Sequence, residues 1–250
     1  MILATVLLVA VLAALAWFVR DDVAEYQRFK ELATSRERRR RYLIWVAKQL
    51  GYFALPVLVG LAVLGRLGAL ATMPAEFAPL AETIPIRGSI DRLVSSDVAV
   101  GMLIGVALVG AAIGGMAAMR GKREQPVGTI GDIAALLPRN RAELICGALL
   151  SISAGVTEEL MFRLFLPLLI VLVTGNTIAA FAVPVVIFGL MHRYQGALGV
   201  IATTIIGALF AALYLGTQSL LTAMVVHALL DLNGLVLRPA LSGALRRAAD

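Results

Sequence analysis

"LICGALLSISAGVTEELMFRLFLPLLIVLV", residues 144–173, is a continuous apolar run that carries Glu158, Glu159 and Arg163 near its middle. As one α-helix, the stretch from 142 to 174 extends roughly 48 Å at 1.5 Å per residue, well past a hydrocarbon core of about 30 Å. Such a helix must tilt, project out of the membrane or break, and Gly155 and Pro167 are the candidate break points. Three ionisable side chains inside it are costly in lipid and belong in an interior or a water-filled cavity.

The rest of the chain has the same character. It is 60% hydrophobic with a mean hydropathy of +0.90, against about 45–50% apolar residues in soluble domains. This predicts an all-α fold, a polytopic transmembrane helix bundle of about seven spans, with six to eight compatible with the pattern. The spans read as Met1–Val19, Leu43–Leu70, Val98–Met119, 142–174, Thr177–His192, Leu198–Leu215 and Leu220–Leu237. They make a single integral membrane domain: 1–140 supplies N-terminal spans and basic loops, and 141–237 forms a separate functional core. The glycine pairs Gly101/Gly105 and Gly110/Gly114 in the third span allow close helix approach and read as packing.

Charge sets the orientation. The net charge of +6 comes from short segments between spans: Arg38–Arg41 within 20–42, then Arg120, Lys122, Arg123, Arg139 and Arg141, and finally Arg238, Arg246 and Arg247. With the N-terminus outside and the C-terminus cytosolic, all of these fall on the cytosolic side. This distribution assigns the positive charge to topology and contact with membrane lipid, and gives no footprint for nucleic acid. No basic residue precedes the first apolar run, so the first span reads as an uncleaved anchor. Within the second span, Lys48 and Arg66 are expected to snorkel towards opposite ends. Cys146 is the single cysteine, which excludes an intrachain disulfide. Nothing in the pattern signals an oligomeric state.

Two histidines, His192 and His227, both fall in apolar spans. Glu159 and Arg163 are spaced i,i+4 with the acid first, so they can pair on one helix face. Glu158 points about 100° away and has no cation within its own helix, which leaves it free to act as a general base. His227 and Asp231 share a face at i,i+4, as do Phe188 and His192. Measured at about 1.5 Å per residue from the outer end of each span, Glu158 lies about 24 Å deep, His192 about 21 Å, His227 about 10–13 Å and Asp231 about 17–20 Å. Four groups on three spans can therefore meet. Asn233 follows two residues after Asp231 and is expected to face elsewhere.

The set Glu158-Glu159-x-x-x-Arg163, Phe188-x-x-x-His192 and His227-x-x-x-Asp231 resembles the three-motif pattern of the CPBP family, the glutamate-type CAAX-processing endopeptidases and their bacteriocin-processing or immunity relatives. The resemblance spans about 140–237. It implies an intramembrane endopeptidase, a hydrolase in which Glu158 and His192 activate a water while His227 and residue 231 support the oxyanion. Glu159, Arg163 and Phe188 are then supporting positions. The family more often carries Asn at 231. An ionised Asp231 can only accept hydrogen bonds, whereas a protonated one can donate, so its role is either oxyanion support or orientation of His227.

No cofactor is favoured. A zinc site built from Glu158, His192, His227 and Asp231 is acceptable by ligand type, although the chain has no H-E-x-x-H and the two histidines come from different spans. The substrate implied is a peptide or protein at the membrane, prenylated in the eukaryotic relatives. The Ala-, Leu- and Arg-rich style of the chain suits a bacterial inner membrane. Two other readings share the polar cluster: a non-catalytic scaffold or immunity-type protein, and a small proton-coupled transporter. No internal repeat of the transporter kind is visible in the sequence.

Overall fold

A computed structural model describes residues 1–84, 131–241 and 245. The expected span Val98–Met119, with its glycine pairs, and the basic residues Arg120, Lys122, Arg123, Arg246 and Arg247 lie outside these residues. Among the described residues there is no strand, and the fold is all-α.

Helix α1 (Ile2–Arg20) runs through a bend at Asp21 into α2 (Asp22–Lys30). Helix α3 (Ser35–Gln49) starts at a capping box: the Thr34 hydroxyl accepts the Glu37 N–H at 3.2 Å, and the Glu37 carboxylate accepts the Thr34 N–H at 3.2 Å. A π-helical turn, Leu50–Ala54, joins it to α4 (Leu55–Val63). This helix ends before the expected Leu70, because the chain turns at Gly65 with φ +68°. Then follow α5 (Arg141–Glu159), a π turn (Leu160–Phe165), α6 (Leu166–Thr174), α7 (Thr177–Met191), α8 (Gly196–Thr217), α9 (Leu220–Leu232), and a third π turn (Asn233–Leu237) before the short helix Arg238–Leu241. The side chains of Asn140, Asn176 and Ser219 accept backbone N–H groups at the starts of α5, α7 and α9.

Among the described residues, four helices are long and apolar enough to cross a membrane: Ile2–Lys30, Ser35–Val63, Arg193–Thr217 and Leu220–Leu241. Thr177–Met191 is a shorter apolar helix. Their outer faces carry exposed Val9, Val59, Ile178, Ile201, Leu209 and Leu221, the inverse of a soluble surface. This is an integral membrane protein. The segment that decided the sequence reading, α5 through α6, is the buried centre, and Leu164, Phe165, Leu166, Leu168 and Leu169 are fully buried. Helices α3 and α9 pack most extensively on α5, α7 packs on α8 and α6, and α1 packs on α6.

Neither expected break point breaks the helix. At Gly155 a Cβ would lie 2.6 Å from the Ala228 nitrogen and 2.7 Å from its Cβ, so glycine here admits α9 to backbone contact with α5. Gly155→Ala is expected to cost about 1–3 kcal/mol through overpacking. An unfolding midpoint in detergent equal to that of the parent protein would show that the contact yields freely. Pro167 is accommodated by the π turn before it. The same arrangement recurs three times, since Pro56, Pro167 and Pro239 each stand at the second position after a π turn. A proline ring collides with the carbonyl four residues earlier in an α-helix, and a wider turn moves that carbonyl aside.

The 20–42 segment departs from a simple solvated basic loop. Arg38 is fully buried. Its Nε donates to Glu143 at 3.0 Å, and its Nη2 donates to the carbonyls of Ala135 at 2.9 Å and Leu137 at 3.2 Å. Tyr42, one turn on, donates to the Leu136 carbonyl at 2.7 Å. Arg38 and Tyr42 thus hold three consecutive carbonyls of the loop before α5, and Glu143 also accepts the Arg139 N–H at 3.0 Å. Lys48 pairs with Glu25 at 2.5 Å, and the same carboxylate accepts from Arg41 at 2.8 Å and Trp45 at 3.0 Å.

Candidate active site

The polar groups inside the bundle collect where α5, α7, α9 and the end of α3 meet. Glu158 and Glu159 are the last two residues of α5, just before its π turn. Glu159 is fully buried and engaged at both oxygens. Its Oε1 lies 2.7 Å from His227 Nδ1, and its Oε2 lies 3.1 Å from Arg163 Nε. The second contact is an ion pair without aligned N–H geometry, since none of the guanidinium nitrogens has a hydrogen-bond partner among the described residues. The guanidinium instead lies 4.4 Å from the Phe188 ring centroid and 5.4 Å from that of Phe210. Two aromatic faces thus flank a buried cation. The expected Glu159–Arg163 pair is therefore present, and it extends to His227.

His227 on α9 is held from two sides. Its ring stacks on Phe210 at 4.7 Å and 23°, while its Nδ1 faces Glu159. With a carboxylate as acceptor, Nδ1 carries the proton and Nε2 is the free edge of the ring. That edge lies 3.9 Å from Glu158 Oε2 and 3.7 Å from Asp231 Oδ2, just beyond hydrogen-bond reach of both. Sequence spacing left Glu158 with no nearby cation. The structure places a histidine of another helix beside it.

His192 caps the C-terminal end of α7, where proline-containing α7 gives way to a short 3₁₀ turn. Its Nδ1 lies 2.8 Å from the Phe188 carbonyl. A carbonyl can only accept, so this Nδ1 also carries a proton and Nε2 is left with its lone pair. Among the described residues no hydrogen bond joins His192 to Glu158. What they share is a cavity of about 390 Å³, lined by Glu158, His192, His227, Asp231 and Phe188, with Phe53, Phe162 and Phe210 among its apolar walls. All four residues expected to carry chemistry therefore face one space, and Glu159 and Arg163 sit behind it.

Asn233 and Gln49 are among the polar residues there that the sequence did not point to. Asn233 lines the cavity with Asp231, and its Oδ1 is buried without a hydrogen-bond partner. An ideal α-helix would turn it about 200° from Asp231, but Asn233 opens a π turn. Gln49 also lines the cavity, and its Nε2 lies 3.4 Å from Glu158 Oε1. The signal for Gln49 was an uncharged amide inside an apolar run. A proline six to nine residues after each of these groups marks the wide turns, because Gln49, Glu158–Glu159 and Asn233 all stand at the start of one.

A family model described as "Rce1-like: Type II CAAX prenyl endopeptidase Rce1-like" matches residues 140–233. That segment, less than half of the chain, is similar to the CAAX-protease family. It contains Glu158, Glu159, Arg163, Phe188, His192, His227 and Asp231, and so all three motifs read from the sequence. Comparison with curated proteins and with solved structures returned no match. The CAAX-protease segment begins at the cap of α5 and ends at the opening of the third π turn. Helices α1–α4 lie outside it, yet they supply Gln49 and Phe53 to the same cavity.

Proposed function

We propose that the protein is an intramembrane endopeptidase that hydrolyses a peptide bond of a membrane-associated or lipidated protein. The observation that carries this reading is the convergence of Glu158, His192, His227 and Asp231 on one cavity, with each imidazole fixed through Nδ1. Glu158 and the Nε2 lone pair of His192 take a proton from a water in the cavity. The resulting hydroxide attacks the scissile carbonyl carbon, and the proton passes to the leaving nitrogen as the C–N bond breaks. His227, carrying protons on both nitrogens, donates from Nε2 to the oxyanion, and Asp231 assists when it is protonated. Glu159 holds His227 in register, with Arg163 behind it.

Prenylated C-a-a-X peptides are the substrate class we propose first, since the family description reads CAAX prenyl endopeptidase. We place the chain in a bacterial inner membrane with about seven spans, the N-terminus outside and the basic segments cytosolic. Comparing membrane-proximal peptide termini in cells with and without the active protein tests the reading. New termini that appear only with the active protein support it, and identical sets overturn it.

We propose that the reaction runs without a bound metal. The chain has no H-E-x-x-H, and its two histidines stand on different helices. Treatment with a strong chelator is expected to leave the cleavage rate within about twofold, whereas loss of activity restored by zinc would overturn this part of the proposal.

A further inference from the structure

The geometry points to Gln49, on a helix outside the CAAX-protease segment, as a positioning residue that holds the Glu158 carboxylate. The inference rests on the reading of Glu158 as the base. A carboxylate can only accept, so the amide that faces Glu158 Oε1 at 3.4 Å is oriented with its NH₂ group toward it. The other end of the amide, Oε1, is buried and has no hydrogen-bond partner among the described residues. Gln49 itself lines the cavity beside Glu158. The contact is long as it stands, as such contacts often are before substrate arrives.

The supporting architecture is specific to this helix pair. Arg38–Glu143 and Gln49–Glu158 join α3 and α5 at two levels, the first fully buried, so the two helices run parallel and cannot slide without breaking both. Gln49 is also the last residue of α3 before its π turn, the same local position that Glu159 holds on α5. The amide is therefore delivered to the cavity by the device that delivers the acids.

The test uses the full-length protein in lipid nanodiscs with a cleavable membrane-proximal peptide. Gln49→Met keeps the length of the side chain and removes the amide. It is expected to lower kcat about 10- to 100-fold, the loss of one hydrogen bond to a charged group, with KM within about twofold and an unchanged unfolding midpoint. In a Glu158→Gln background the same substitution is expected to add little, because the group it positions is gone. A Gln49→Met protein with parental kcat overturns the inference, as does one that changes KM alone. If the methionine variant loses its fold, Gln49→Glu, which keeps the shape and replaces the donor by an acceptor, must still lower kcat for the inference to stand. Should Glu158→Gln itself retain parental turnover, the reading of the base fails first. If Glu158→Gln is inactive while Gln49→Met is fully active, only the role of Gln49 fails.

Discussion

Glu158→Gln is expected to reduce peptide cleavage by about 10²- to 10⁴-fold while the protein stays folded, the range contributed by a general base. The substitution is nearly isosteric and removes only the ability to take a proton. Glu158 touches the structure lightly: it accepts one long hydrogen bond from Gln49 and lies 3.9 Å from His227 Nε2. Glu159, by contrast, bonds His227 at 2.7 Å and faces Arg163 at 3.1 Å. Glu159→Gln should therefore disturb both the fold and the orientation of His227, whereas Glu158→Gln should disturb turnover alone. Cleavage rates and thermal midpoints measured on the two proteins separate the roles. Equal turnover by Glu158→Gln and the parent protein would remove Glu158 from the chemistry.

Glu143→Leu is expected to destabilise the fold by about 3–5 kcal/mol, because it leaves the Arg38 guanidinium buried without its charge partner. Both side chains are wholly buried, 3.0 Å apart, and Glu143 also holds the Arg139 N–H. The double replacement Arg38→Leu/Glu143→Leu should recover part of the loss, since no charge is then stranded, although the carbonyls of Ala135 and Leu137 lose a donor. Equilibrium unfolding in mixed micelles distinguishes the two variants. If the single variant unfolds at the parental denaturant concentration, Arg38 has found water or another partner.

The sequence carried the acids, the histidines and their pairing within helices, because i,i+4 spacing is local. It also carried the helix caps and the apolar character of each span. It did not carry the partner of Glu158 or the second partner of Glu159, because His227 reaches both from another helix. Arg38 looked like one member of a solvated basic run. Nothing local shows that Glu143 and the carbonyls of Ala135 and Leu137 await it. Asn233 faces the cavity, against α-helical periodicity, because the turn it opens widens before Pro239. Gln49 lay in the half of the chain without a motif, and only packing brings it to Glu158.

The contact of Gly155 with Ala228 bears on how the pair Glu159–His227 responds to the bilayer. Glu159 lies one turn beyond Gly155, and His227 is the neighbour of Ala228, so the hydrogen bond between them spans two helices that touch main chain to main chain. No long side chains stand between the two helices at that point to act as springs. A thicker or thinner membrane can tilt the pair as one rigid strut, and the separation of donor and acceptor then stays fixed while its depth in the lipid changes.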